Sequence, residues 1–565
     1  MGFPAYTPRV LNQDHKAPVG HRNRRGPRAA LSAASQWLAA FAWAMAVIAT
    51  PGCSDPEPKA RRVLLVGWDG ATFDLIDPLL ERGELPHLAA LIANGRSAEL
   101  ESTKIPISSA AWPTIATGKG PGEHGVYSFF RPIEGTYDAQ LVSSMDVASP
   151  PIWRILSERG RRVNVFGVPV TYPAEPINGT MVSGMLSPFD ADYAHPEGTA
   201  NRLREAGFIP DLGIWRQNEL ANMDTVKRQL DLKEAELLRL AEMPDWSLSM
   251  FVFKSLDVLC HRPSLRLDGP EITWTLKRLD EILGKLIEAA GDDTVVMVIS
   301  DHGFAQYSMN LNLHRWLIDK GYAALRPDAT LNGSAGGNLS EMKATERAQR
   351  IALLDLEQTQ AFADAAEGPF GGIRLNLMGR EPKGQVTKAD KAALMDAIEK
   401  DLRRVEFPQG MPVVLAVHRG AELYPGPFAE SIVPDLIVEL RPDVRCVASL
   451  FGPAVGPGEP APFPDHALDG IWVLSGNHVL PAAERTRLRL EDIAPMVLHA
   501  LGEPIPRSFG GDPQPSAFEG GHGPARINDE EDESLVPTAE AFRGRNRAGE
   551  SGAVRSRISE IGYGK

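Results

Sequence analysis

Short runs of consecutive apolar residues, separated by helical patterns, restrict the fold of this chain more than any other feature. Arg62-Val63-Leu64-Leu65-Val66-Gly67 is bounded by charge on one side and by Asp69-Gly70 on the other, and similar runs recur at Val163–Val168, Trp246–Phe253, Thr294–Ser300, Ile437–Leu440 and Ile471–Leu474. A strand that is apolar on both faces must be covered on both faces, which is the situation of a buried parallel strand. Between the runs, Leu230–Leu240 and Ile272–Ala289 carry apolar residues at helical spacing with charges opposite. Strands alternating with helices predict an α/β fold, a mostly parallel central sheet with helices on both faces. In such sheets ligands gather at the carboxyl ends of the strands.

Two stretches break the rhythm, 127–151 and 307–409, the second containing the polar run Leu331-Asn332-Gly333-Ser334-Ala335-Gly336-Gly337-Asn338. They are expected to be insertions that cover or flank a site rather than sheet elements. Residues 510–565 turn Gly/Pro-rich, then acidic over Asp529–Glu533, then basic and polar, and are expected to form a surface tail. The formal net charge of −14 argues against a nucleic-acid polymer as partner, because such binding rests on Lys and Arg neutralising phosphates. Three cysteines, Cys53, Cys260 and Cys446, exclude a disulfide scaffold. Cys260, beside His261, reads as a buried small residue.

The N-terminus reads separately. Arg9, Lys16, Arg22, Arg24, Arg25 and Arg28 precede an uncharged stretch, Ala29–Ser54, within which Trp37–Ile48 is continuously apolar. A basic flank, a short apolar run and then small residues are the signature of an export signal, and the apolar run is short for a membrane span. It ends Ile48-Ala49-Thr50-Pro51-Gly52-Cys53, which resembles a bacterial lipoprotein signal apart from Pro51. Residues 1–53 are expected to be this signal, with Cys53 a lipid anchor to the membrane and 54–61 a short tether, and the mature protein to be exported to the periplasm or envelope.

Several residues could carry chemistry. Asp69 follows the first strand; an Asp-Gly there is by itself most often a turn. Ser108 opens a helix, where a hydroxyl commonly caps, and where free N–H groups also favour a phosphate and an attacking oxygen. Asp257 and His261 are four residues apart after the strand Phe251–Phe253 and project from one face of a helical turn, so they can share a metal or simply a surface hydrogen bond. Val295–Ile299 delivers Ser300-Asp301-His302-Gly303 at the end of an apolar strand, with Gly303 expected to let the chain turn tightly. His466, in Pro464-Asp465-His466-Ala467-Leu468-Asp469-Gly470, precedes the strand Ile471–Leu474, and His478 competes for the same role. Together these are two sets of oxygen and imidazole ligands without a thiolate, suited to two divalent metal ions, zinc foremost and manganese next. Two cations about 4 Å apart clamp the attacking and leaving oxygens of an in-line phosphoryl transfer.

The order of these motifs resembles the alkaline phosphatase superfamily, and within it the type I phosphodiesterase/nucleotide pyrophosphatase branch. Thr114-Ile115-Ala116-Thr117-Gly118 with Pro121 and His124-Gly125 is similar to the family's helix after the nucleophile. Val168-Pro169-Val170-Thr171-Tyr172-Pro173, Asn178-Gly179, Val182-Ser183-Gly184 and Glu491-Asp492-Ile493-Ala494-Pro495-Met496 resemble bacterial proteins described as phosphohydrolases or phosphomutases. The resemblance covers about Arg62 to Phe509, so that 62–509 would be the catalytic domain. It implies one metal site of Asp257, His261 and His466, and a second of Asp69, Asp301, His302 and the Ser108 oxygen. Ser108 would be the nucleophile, forming a phosphoseryl enzyme that water hydrolyses, with overall retention at phosphorus. His466 is preferred to His478 because the family's late ligand is closely followed by an Asp, here Asp469. The Asn with which eukaryotic nucleotide pyrophosphatases hold a phosphate oxygen is replaced by Phe129, which argues against nucleotide substrates. The Pro and Arg of a sulfatase motif are missing after Ser108.

The leading expectation is a metal-dependent phosphoric-ester hydrolase, a phosphodiesterase acting on a small phosphate ester. A phosphomutase or phosphotransferase is the alternative within enzymes. A metal-bearing envelope lipoprotein that binds a phosphorylated ligand without turnover is the alternative outside them; it would have no need of Ser108.

Overall fold

In the computed structural model, residues 62–211, 223–262, 265–327, 329, 350–450, 452–457 and 462–519 are described. The first strand, Arg62–Trp68, lies inside the central sheet, as its composition requires. Leu64, Val66 and Trp68 enter one hydrophobic core, Val63 and Leu65 the other, and every residue from Val63 to Trp68 is buried. Among the described residues this sheet has nine strands, in the spatial order Thr486–Arg489, Arg96–Glu101, Asp469–Gly476, Thr294–Ile299, Arg62–Trp68, Trp246–Phe253, Arg162–Phe166, Gly179–Val182 and Ala194–His195. The run from Thr294–Ile299 to Gly179–Val182 is parallel throughout. Asp469–Gly476 is antiparallel to both its neighbours, Arg96–Glu101 and Thr294–Ile299.

Helices Phe73–Glu81, Pro86–Ala93, Met223–Ala241 and Pro270–Ala290 cover one face; Ser108–Thr117, Ile152–Glu158 and Ile493–Ala500 cover the other. Pro270–Ala290 shows how the sequence sets this. Pro270 sits in its first turn, and Ile272, Leu276, Leu279, Leu283 and Leu286 form the buried stripe. Asp280, on the same helix, accepts the His87 and Leu88 amides at 3.1 and 2.7 Å, placing a carboxylate at the amino end of Pro86–Ala93.

The structure corrects several expectations. Ile437–Leu440 belongs to Leu436–Leu440 of a separate antiparallel sheet, ordered Ala361–Glu367, Phe370–Leu375, Leu436–Leu440, Val414–Arg419. A doubly buried strand has the same composition in either sheet, so the run alone could not assign it. The stretch 307–409 is therefore not free of sheet elements: it contributes the first two of these strands, and with helices Leu313–Asp319 and Lys391–Leu402 builds a core of its own. The stretch 127–151 likewise carries sheet elements, the antiparallel hairpin Phe130–Pro132/Ala139–Leu141. Residues 510–519 are not surface tail, since Ala517 and Phe518 are buried in the second core. The export signal, Cys53, the tether, Leu331–Asn338 and residues 520–565 lie outside the described residues. Among the described residues no helix is long and apolar enough to cross a membrane.

Candidate active site

Three adjacent parallel strands end at one place. Arg62–Trp68 is followed by Asp69; Thr294–Ile299 by Ser300, Asp301 and His302; Trp246–Phe253 by Lys254 and the short helix Ser255–Cys260, which carries Asp257 and has His261 at its C-cap. Because Asp469–Gly476 runs the opposite way, its amino end lies at the carboxyl ends of the parallel strands. His466, just before it, is thus delivered to the same place on Phe463–Ala467, where it pairs with Phe304 of the strand Gly303–Tyr307.

The side chains converge into two groups, Asp257 with His261 and His466, and Asp69 with Asp301 and His302; within each, ligand atoms of all three residues lie within 4.8 Å of one another. Hydrogen bonds from the far ring nitrogens assign the tautomers. His466 Nδ1–H donates to the Pro106 carbonyl at 2.7 Å and His302 Nδ1–H to the Gly303 carbonyl at 3.1 Å, so each ring turns its Nε2 toward the carboxylates. His466 Nε2 lies 3.3 Å from Asp257 Oδ1 and 2.8 Å from His261 Nε2. His302 Nε2 lies 3.3 Å from Asp301 Oδ2 and 3.7 Å from Asp69 Oδ1.

Asp69, Asp257, Asp301 and His302 are wholly buried. Burial and then the neighbouring Asp69 push the Asp301 carboxyl well above its ordinary range. Asp69 is also raised by burial, against the pull of Lys254. Burial would raise Asp257 too, but Lys254 and His261 outweigh it and hold that carboxyl well below the usual range. Burial, then His466, keeps His302 well below its ordinary value and so neutral. Asp257 Oδ2 faces the Lys254 ammonium at 2.6 Å, while Asp257 Oδ1 and Asp301 Oδ2 are buried against imidazole rings with no hydrogen bond in good geometry. Buried carboxylate oxygens gathered with imidazole nitrogens are a donor set that fits a divalent cation in each group. No thiolate joins them: Cys260 is buried among apolar residues and its thiol is pushed well up by that burial.

Ser108 is the first residue of the helix Ser108–Thr117, whose N-cap is Ile107, so its hydroxyl is not spent on capping. Its Oγ lies 3.2 Å from His302 Nε2 and 3.5 Å from Asp69 Oδ1. The adjacent Ser109 hydroxyl is buried without a hydrogen bond. The approach to Ser108 is bent at Ile105, whose φ of 66° is a costly conformation for a β-branched residue. Ile105 is held there by burial against Tyr127, Phe370 and Tyr424, and the bend leads directly to Pro106, the residue that receives His466. Trp112, one turn into the helix, donates Nε1–H to Asp69 Oδ2 at 2.9 Å. Phe129 packs with Phe130 and Met185 on Ile107 and Ala110, an apolar wall flanking Ser108.

His478 does not join the site. It sits in a turn beyond the far end of Asp469–Gly476 with a φ of 65°, half exposed, 2.9 Å from Glu519. Gly303 is needed for close approach rather than for a turn, since a Cβ there would stand 2.3 Å from the Asp469 carbonyl oxygen. Gly368, in the hairpin of the second sheet, has φ +51° and would place a Cβ 2.0 Å from the His466 carbonyl oxygen, so the second layer is seated directly on the backbone of His466. Lys254 and Trp112 were missed in the sequence. The signal for Lys254 was available: it follows a parallel strand as directly as Asp69 follows its own. A cavity of about 1590 Å³ lies to one side, lined by Arg131, Tyr137, Phe362, Arg374, Arg380 and Phe428 among others, and neither ligand group nor Ser108 opens into it.

The helix Ser108–Thr117 is buttressed by His124. Thr114 Oγ1 donates to the Ala110 carbonyl and lies 2.9 Å from His124 Nε2, while the Val126 amide donates to His124 Nδ1. This pattern suits only a neutral ring, and burial lowers its pKa from 6.5 to about 3. The unfolded chain binds that proton more readily. The stability conferred by His124 is thus present above the unfolded value and lost as pH falls toward the folded one, by up to about 1.4 kcal/mol per pH unit. In urea unfolding between about pH 7 and pH 5, the wild type should lose more stability than His124→Gln; equal losses would show that His124 is not the linked group.

Fold and donor groups together define the class: a metal-dependent phosphoric-ester hydrolase with the alkaline phosphatase fold. The family follows from the sequence. The family model for type I phosphodiesterase / nucleotide pyrophosphatase matches residues 63–455, and the chain belongs to that family. Among solved structures, phosphonoacetate hydrolase from Sinorhizobium meliloti 1021 in complex with phosphonoformate is similar at 15% identity and a TM-score of 0.54, over 78% of this chain and 96% of that one. Its complex with phosphonoacetate gives 15% and 0.53 over the same shares. An inactive variant of murine ectonucleotide pyrophosphatase / phosphodiesterase 5 in complex with AMP gives 14% and 0.45, over 78% and 95%. No curated protein sequence matches the chain.

Proposed function

We propose that the protein hydrolyses a small phosphodiester, with Ser108 as nucleophile and the two groups Asp257/His261/His466 and Asp69/Asp301/His302 as the holders of two divalent cations. Zinc suits these nitrogen and oxygen donors best and manganese next. When bound, such cations supply charge stabilisation to the attacking and leaving oxygens of an in-line displacement. The observation that carries the reading is the placement of Ser108 Oγ. It lies at the amino end of a buried helix, within 3.5 Å of both His302 and Asp69. First-turn amides of a helix lack intrahelical partners and favour an approaching phosphoryl group.

The chain's own residues then do the following. Ser108 Oγ attacks phosphorus and one ester alcohol leaves; water next attacks the phosphoseryl group, releasing a monoester and restoring Ser108. Trp112 fixes the orientation of Asp69, and the Pro106 carbonyl that of His466. The apolar wall of Phe129, Phe130 and Met185 suits the uncharged second ester group of a diester. Hydrolysis of matched aryl diester and monoester substrates by the zinc- or manganese-loaded protein tests the reading. Diester preference supports it, monoester preference moves it to phosphatase or mutase chemistry, and metal-loaded protein that turns over neither is a binding protein.

Export with a lipid anchor at Cys53 belongs to the same proposal and is supported by the N-terminal sequence alone. The wild type should sediment with membranes and Cys53→Ser should not; identical fractionation would remove the anchor from the proposal.

A further inference from the structure

Lys254 is the conspicuous residue that the two ligand groups leave over. It caps the amino end of Ser255–Cys260, and its ammonium reaches back between the groups: Nζ lies 2.6 Å from Asp257 Oδ2, 3.4 Å from Asp69 Oδ1 and 3.3 Å from Ser108 Oγ. It thus touches one carboxylate of each group and the attacking oxygen at once. Its side chain is 15% exposed. The other walls near Ser108 are the two ligand groups, the indole of Trp112, which is committed to Asp69, and the apolar cluster of Phe129, Phe130 and Met185. Among the described residues, no other ammonium or guanidinium has a hydrogen bond to Ser108 Oγ.

A fixed ammonium at this position has a specific electrostatic use. In the attack, the Ser108 O–P bond forms while the bond to the leaving oxygen breaks and that oxygen takes the electron pair. The serine proton passes to water, and the departing alkoxide takes a proton from water. Negative charge appears on Ser108 Oγ as its proton leaves and passes, as the O–P bond forms, to the phosphoryl oxygens that arrive beside it and to the leaving oxygen. A preorganised donor already touching Ser108 Oγ meets that charge where it develops, with no reorganisation at the moment of reaction. The two Asp contacts keep the lysine in place before substrate arrives, which is what preorganisation requires.

We propose that Lys254 is a further catalytic residue of this site, its ammonium binding Ser108 Oγ and the adjacent non-bridging phosphoryl oxygen as charge builds during attack. The proposal rests on the hydrolase reading above. Its rival is that Lys254 only balances the charge of Asp69 and Asp257.

The test uses the full chain, loaded with zinc, as wild type, Lys254→Met and Lys254→Arg. It measures zinc content, affinity for orthovanadate and inorganic phosphate by calorimetry, and kcat on an aryl phosphodiester. Vanadate adopts the five-coordinate shape of the transition state and phosphate does not, so a group that acts in the transition state discriminates between them. Lys254→Met should keep its zinc, lose vanadate affinity by about 10²-fold and phosphate affinity by less than about 10-fold, and lose about 10²–10³-fold in kcat. Lys254→Arg should recover part of each loss and serves as the probe if the Met variant does not fold. Full zinc with unchanged vanadate affinity and kcat in either variant overturns the proposal in favour of the charge-balancing role. A wild type that binds vanadate through Lys254 but turns over no phosphate ester overturns the hydrolase reading while leaving the contact with phosphoryl oxygens standing.

Discussion

Ser108→Ala should lower kcat on an aryl phosphodiester by about 10⁴-fold or more, because the variant has no group to form the covalent intermediate. Zinc content and phosphate affinity should change by no more than a few-fold. The side chain is small, and the two ligand groups do not need it to stay assembled. Its loss should also cost little stability, since Ile107 rather than Ser108 is the N-cap of the helix. The same comparison yields a direct signature. Wild-type protein quenched in acid during turnover should carry a phosphoryl group on the peptide containing Ser108, and the variant should carry none. Retained activity in a metal-loaded Ser108→Ala sample would mean that another oxygen attacks, and Ser109, buried without a hydrogen-bond partner, is the first alternative.

Chelation should abolish activity outright, and its effect on stability should be nearly as large. Three buried carboxylates converge within the two groups, and Lys254, whose ammonium lies 2.6 Å from Asp257 Oδ2, is one cation against three carboxylates, too little to neutralise them. A cation that binds only the folded chain contributes about 4 kcal/mol per site when present at a thousandfold excess over its Kd. Two sites translate to a fall in Tm on the order of 10 °C on removal. Acid should act in the same direction: with its pKa raised by burial and by Asp69, Asp301 takes up a proton that must leave again before a cation can bind. Metal content by elemental analysis, Tm and kcat, followed through chelation and then restoration with zinc or manganese, check this together. An unchanged Tm after the metal is demonstrably gone would mean that these carboxylates are satisfied by other means.

Much of this arrangement was legible in the sequence because it is local. An apolar run that ends in Asp69, in Asp301-His302, or shortly before Asp257 announces both a buried strand and a polar group at its end. The sequence could not show which sheet a run joins. Leu436–Leu440 and Arg62–Trp68 have the same character, and only pairing separates them. The alternating strand Arg96–Glu101 escaped notice because its glutamates face outward toward Arg487, which binds Glu99 and Glu101 from the neighbouring edge strand. Lys254 was passed over for a different reason. A lysine after a strand is ordinarily a solvated end, and what makes this one unusual is the company of Asp69 and Ser108, which are far away in the chain.

The position of Asp469–Gly476 in the central sheet has a consequence for how the protein is made. This strand lies between Arg96–Glu101 and Thr294–Ile299, both translated long before it. Until its residues leave the ribosome, the nascent chain holds a parallel sheet with an open edge at Thr294–Ile299 and a lone strand, Arg96–Glu101, whose other neighbour, Thr486–Arg489, comes later still, and it lacks His466. Such edges invite mispairing. Closure is a late, long-range event that joins the sheet and completes the ligand set in the same step. Truncated or stalled chains should therefore be both aggregation-prone and inert, and a holding chaperone during synthesis should raise the yield of active enzyme more than it raises the yield of total protein.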